Sequence, residues 1–122
     1  MLSEHFSEKE FQCHCGKCTM PTIAPELLEV LEQLRSEFTA TVQITSGYRC
    51  HAHNKAVGGA KDSQHCHGIA ADIKVFNKIK QQMPPDIIYA YLNTRYQDKY
   101  GIGKYEAWTH IDTRAVKARW VG

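Results

Sequence analysis

The sequence predicts a small α+β domain: a largely antiparallel sheet flanked by helices. Two observations carry this. Helical and extended patterns are interspersed along the 122 residues. The extended segments between residues 41 and 75 have no crossover helix between them, as a doubly wound parallel sheet would require. There is no internal repeat, linker or low-complexity stretch, so residues 1–122 read as one domain.

The elements follow in order. In "PTIAPELLEVLEQLRSEF", Leu27, Leu31, Leu34 and Phe38 are spaced by four, three and four, one face of a helix. Pro25 suits its first turn, where a missing N–H costs nothing. "TVQITSGYR" alternates Val42 and Ile44 with polar residues, a strand running into a turn at Gly47. "AADIKVF" alternates again, with Asp72 and Lys74 on one face and Ile73 and Val75 on the other. Pro84 and Pro85 open a second helix, with Ile88, Tyr91 and Leu92 on its inner side. "GIGKYEAWTHIDTR" reads as two short strands or one bent one.

Composition narrows the function classes. The chain is 43% hydrophobic and 23% charged, ordinary for a globular protein, with no apolar run long enough for membrane insertion. A net charge of +2 without a basic stripe gives no reason to expect nucleic acid. The start, "MLSEHFSEKEF", lacks the order of a signal peptide, so synthesis in the cytoplasm is expected.

Five cysteines and seven histidines are unevenly placed. Cys13, His14, Cys15 and Cys18 form one group, Cys50, His51 and His53 a second, and His65, Cys66 and His67 a third. An odd cysteine count without a signal peptide argues against a pure disulfide framework. In "GGAKDSQHCHGIAADIKV", His65 and Asp72 are separated by Gly68, which allows a tight bend, and Asp72 falls on the following strand. A loop histidine and a strand carboxylate can then converge on zinc, which in catalytic sites takes three protein ligands and leaves a position for water. "WTHIDTR" supplies the third: on an extended segment Trp108, His110 and Asp112 share a face. Spacing alone leaves open that these are ordinary half-buried side chains.

"SQHCHGIAAD" matches a Ser-x-His-x-x-Gly-x-Ala-x-Asp signature. With "ITSGYR" and "HNKAVGGAKDSQH" before it and "GIGKYEAWTHIDTR" after it, the chain resembles the zinc D-alanyl-D-alanine carboxypeptidases and their peptidoglycan-cutting relatives. That group includes vancomycin-resistance dipeptidases, several phage endolysins and the hedgehog signalling domain. The resemblance runs from about Phe6 to Arg114 in the family's order. It implies a hedgehog-type fold, Zn2+ as cofactor and His65, Asp72 and His110 as its ligands. It also implies that Arg49 holds the peptide carbonyl as it becomes an oxyanion, and that Ser63 contacts substrate. Tyr48 is a candidate for lining the same cleft, with simple packing beside the turn as the alternative.

Many members carry an acid three residues before the last zinc histidine; here that position is Ala107. Asp112, on the zinc-facing side by strand periodicity, is the first candidate for general base, with Glu106 second. A supporting role for Asp112, holding a histidine or Arg49, is the alternative. The resemblance implies a zinc peptidase acting on peptidoglycan stem peptides, as a D-Ala-D-Ala carboxypeptidase or an endolysin-like endopeptidase. A monomer reaching the wall by holin-mediated or phage-borne release is expected. The missing acid keeps a second reading open: a non-catalytic module binding peptidoglycan or a protein partner. For "CHCGKC", three fates stay open: a structural metal completed by Cys50 or a histidine, a Cys13–Cys50-type disulfide, or reduced thiols. Cys66 reads either as a competitor for the metal or, more commonly for such a cysteine, as a small buried residue, and His67 as a neighbour of the site.

Overall fold

A computed structural model describes residues 2–61 and 63–122. Helix α1 (Glu8–Phe11) is one short turn, braced by the Glu10 carboxylate accepting from the Ser7 N–H. Helix α2 (Pro25–Phe38) begins at Pro25 and buries Leu27, Leu31 and Leu34, the stripe that its periodicity predicts. It ends at Thr39 in the left-handed region (φ 48°), which turns the chain into strand β1 (Thr41–Ser46). Helix α3 (His51–Ala56) and a 3₁₀ turn (Gln64–His67) lead into strand β2 (Ala70–Phe76). Helix α4 (Pro85–Arg95) buries Ile88 and Leu92; Tyr91 is half-buried, its ring edge-on to Phe38. Strands β3 (Gly101–Lys104), β4 (Thr109–Asp112) and β5 (Ala118–Val121) complete the chain.

The five strands form one sheet in the order β1-β2-β4-β3-β5. Every pairing is antiparallel except β3 with β5. The α+β architecture and its mostly antiparallel sheet are as the sequence predicts. Period-2 alternation divides the sheet. Val42, Ala71, Ile73, Val75, Ile102 and Ile111 join Leu27, Leu31, Leu34, Ile88 and Leu92 in the core. The alternate positions point the other way, and a single row of cross-strand partners runs through Asp72, His110, Gly103 and Trp120. The core thus fixes the register, and the register aligns the polar row. No helix among the described residues is long and apolar enough to cross a membrane.

Candidate metal centre

His65 is held from three sides. Its backbone N–H donates to Ser63 Oγ (3.2 Å), which caps the 3₁₀ turn. Its carbonyl accepts from the Arg49 N–H (3.1 Å). Its ring Nδ1 lies 2.7 Å from the Gly47 carbonyl. A carbonyl can only accept, so Nδ1 carries the proton and Nε2 presents its lone pair. Gly68 ends the turn at φ +71°, and a Cβ there would come within 2.9 Å of the Thr22 carbonyl. A left-handed, crowded position of this kind needs glycine, and it delivers Asp72 onto β2 seven residues after His65.

Asp72 and His110 are directly opposed across β2 and β4. Asp72 Oδ1 lies 2.9 Å from His110 Nδ1 and 3.3 Å from His65 Nε2. The two imidazoles meet edge to face at 5.1 Å. His65 Nε2, Asp72 Oδ1 and His110 Nδ1 form a group whose donor atoms all lie within 4.8 Å of one another. Bonds of about 2.0–2.1 Å would set the donors of a tetrahedral zinc roughly 3.4 Å apart, close to these separations. Two nitrogens and a carboxylate oxygen, with both outer ring nitrogens already engaged, fit a zinc ion.

The geometry departs from expectation at Asp112. It is on the same face as His110, as periodicity predicts, but its carboxylate meets Nε2 (2.8 Å), the ring nitrogen turned away from Asp72. It is fully buried and accepts from Arg114 Nε (2.8 Å), Arg114 Nη2 (2.7 Å) and the Gly101 N–H (3.2 Å). Burial opposes its charge, but the bonds from Arg114 and His110 hold its carboxyl far below the ordinary carboxylate range. A group so stabilised as an anion is a poor proton acceptor. The same balance sets its neighbours. Burial disfavours the charge of Asp72, yet hydrogen bonds and charge from the protonated forms of His110 and His65 keep its pKa well down in the metal-free chain. Burial likewise opposes protonation of His110, while Asp112 and Asp72 outweigh it and raise the pKa.

These residues open on a cleft of about 480 Å³, also lined by Arg49 and Ser63 and by Tyr105, Trp108 and Trp120. Arg49 Nη2 donates to Ser63 Oγ (3.2 Å). Arg49 Nε and Trp108 Nε1 are buried with no partner among the described residues, two donors that an incoming carbonyl or carboxylate would satisfy. Tyr105 stacks on Trp108 at 4.6 Å, and its hydroxyl accepts from Trp120 Nε1 (2.8 Å). Trp120 in turn packs on the His110 ring at 5.0 Å. A larger depression of about 740 Å³, near Glu32, Arg35 and Lys78, holds no such convergence.

Two other expectations land elsewhere. Tyr48 does not line the cleft; it packs against the core, and burial together with the nearby Cys18 and Cys50 thiols raises its pKa. Glu106 is exposed in the tight β3–β4 connection, where Tyr105 N–H donates to the Trp108 carbonyl (3.1 Å), and is not a lining residue either. No bulge re-aims it, since the β3–β4 register is continuous. Sequence reasoning missed Arg114, Tyr105 and Trp120. Arg114 follows two residues after Asp112, just past the end of β4, a spacing to which the period-2 reading could have been extended. Trp120 has no local signal, because only the β3–β5 pairing brings it to His110.

Comparison with curated proteins returns no match. The family model described as Peptidase M15 matches residues 4–112, a span that contains Arg49, the three candidate ligands and Asp112 and stops short of β5. Zinc dependence is a property of that family, and the donor set at His65, Asp72 and His110 is chemically suited to it. The chain belongs to the peptidase M15 family of zinc metallopeptidases.

Proposed function

We propose that this chain hydrolyses peptide bonds in peptidoglycan stem peptides, as a D-Ala-D-Ala carboxypeptidase or an endolysin-like endopeptidase. One observation carries the reading: three ligand atoms converge in an open cleft that also holds an arginine with an unpartnered buried nitrogen. His65, Asp72 and His110 would hold the zinc, which when bound supplies a polarised scissile carbonyl and a water of pKa near 7. The remaining work belongs to the protein. The Gly47 carbonyl and the Asp112 carboxylate accept from the outer nitrogens of the two imidazoles, so that once the inner nitrogens give up their protons their lone pairs are turned to the metal position. Ser63 anchors the Arg49 guanidinium, whose planar donors can take the developing oxyanion or a terminal carboxylate. Tyr105, Trp108 and Trp120 supply a rigid apolar surface against which a peptide can lie.

With Asp112 facing away, Asp72 is the one carboxylate among the described lining residues. Glu106 is therefore the candidate proton acceptor, and it requires the β3–β4 tip to fold toward the cleft. The same observation favours a second reading, a peptide-binding module without turnover. Digestion of purified peptidoglycan with mass identification of the new ends separates the two. New amino and carboxyl termini that vanish in Arg49→Lys support the enzyme. Sedimentation with the wall without new ends supports the module.

A further inference from the structure

A second group of donors lies away from the cleft. Cys13, Cys15 and Cys18 follow α1, and Cys50 caps the start of α3, next to Arg49. All four thiols are free of disulfides, and their sulfurs lie within 4.8 Å of one another. Cys50 Sγ is 3.8 Å from both Cys13 Sγ and Cys15 Sγ. Zinc–sulfur bonds of about 2.3 Å put the corners of a tetrahedron about 3.8 Å apart, so these contacts have the edge length of a ZnS₄ centre. The backbone is also arranged for thiolates. The Cys50 N–H donates to Cys13 Sγ and the Lys17 N–H to Cys15 Sγ, each at 3.4 Å. Gly16, at φ +70°, makes the turn that brings Cys18 round to the others.

We propose that Cys13, Cys15, Cys18 and Cys50 bind a structural zinc ion that clasps the N-terminal segment to the turn carrying Arg49. The surrounding structure explains the need. Between Phe11 and Ile23 there is no helix or strand, and Cys13 is the single buried residue. A stretch with so little buried apolar surface cannot offset its own ordering entropy. Metal binding supplies what the missing core does not, because the site exists only when the segment is folded. Four sulfurs gathered around one point also exceed what a disulfide could use. The centre shares no ligand with the cleft, so its metal content can be tested apart from the proposed activity.

Metal analysis of protein purified without chelator tests this. Wild type should carry about two zinc ions per chain, and His65→Ala and Cys50→Ser about one each. In His65→Ala, the remaining zinc should be released by mercurial titration of the thiols, and cobalt substitution should give thiolate-to-cobalt charge-transfer absorption. Wild-type protein gives the same thiol readout without any variant that could misfold: Cys13, Cys15, Cys18 and Cys50 should resist alkylation until a chelator is added. Four freely alkylated thiols in the zinc-loaded protein would overturn the proposal. So would an intact mass reduced by disulfide formation, or iron in place of zinc.

Discussion

Asp112 is two residues from His110, and its carboxylate does opposite work depending on which ring nitrogen it meets. Facing the metal side it could take a proton; facing Nε2, clamped by Arg114, it orients the imidazole. Asp112→Asn should therefore weaken zinc binding at the cleft by about 10–100-fold, the usual cost of removing such a support. Competition with a chromophoric chelator measures it; unchanged affinity with lost turnover would instead return Asp112 to the proton transfer. The shifted carboxyls also set the acid limit. Asp72 and Asp112 have folded pKa values below the unfolded value of about 3.9, so their stabilisation is present above it and is lost as pH falls. Metal-free protein should lose stability on acidification below about pH 4, and Asp112→Asn should flatten that slope in urea unfolding series. For His110 the sign reverses. Its raised pKa favours the metal-free fold below about pH 6.5 and ceases to do so as pH rises through the folded value. Zinc uptake displaces that proton, so affinity should climb with pH across the same window.

At the scale of elements, the β3–β4 hairpin and β5 form the part of the cleft that local sequence could not show. Gly103 lies between His110 and Trp120 in the cross-strand row, and a Cβ there would stand 2.4 Å from the indole. Gly103→Ala should push Trp120 off His110, cost about 1–3 kcal/mol as overpacking does, and change the tryptophan fluorescence. A variant with wild-type stability and emission would show that β5 is not fixed against β3. On the opposite face, Leu31 is fully buried at the centre of the α2 stripe. Leu31→Ala should cost about 2–5 kcal/mol by urea unfolding, since the sheet behind it cannot collapse into the space. Helices α2 and α4 and strand β2 were legible because each repeats its period over enough residues. Helices α1 and α3 and strand β5 are four to six residues long, too short for a period to register.

For the whole molecule, ligand convergence ties stability to metal. Anything that binds the folded chain alone stabilises it, by about 2.7 kcal/mol at one hundred times its dissociation constant. A chelator should lower the melting temperature and added zinc restore it. His65→Ala should show a smaller chelator shift than wild type; an identical shift would mean that the cleft holds no ion that matters to folding.

Local sequence by itself determined the α+β class, the two long helices and the alternating faces of β1 and β2. Those properties depend on residue type and on spacing within one element, which the chain states directly. His65, Asp72 and His110 were nominated as candidate ligands by spacing together with the family resemblance, and Arg49 by the resemblance alone. Tertiary structure alone decided which nitrogen of His110 faces Asp72, why Asp112 stands behind that ring, and how Trp120 arrives beside it from β5. It also decided that Cys50 joins three cysteines more than thirty residues earlier in the chain. Each of these is set by strand register and side-chain direction between segments far apart in sequence, and no local pattern encodes either.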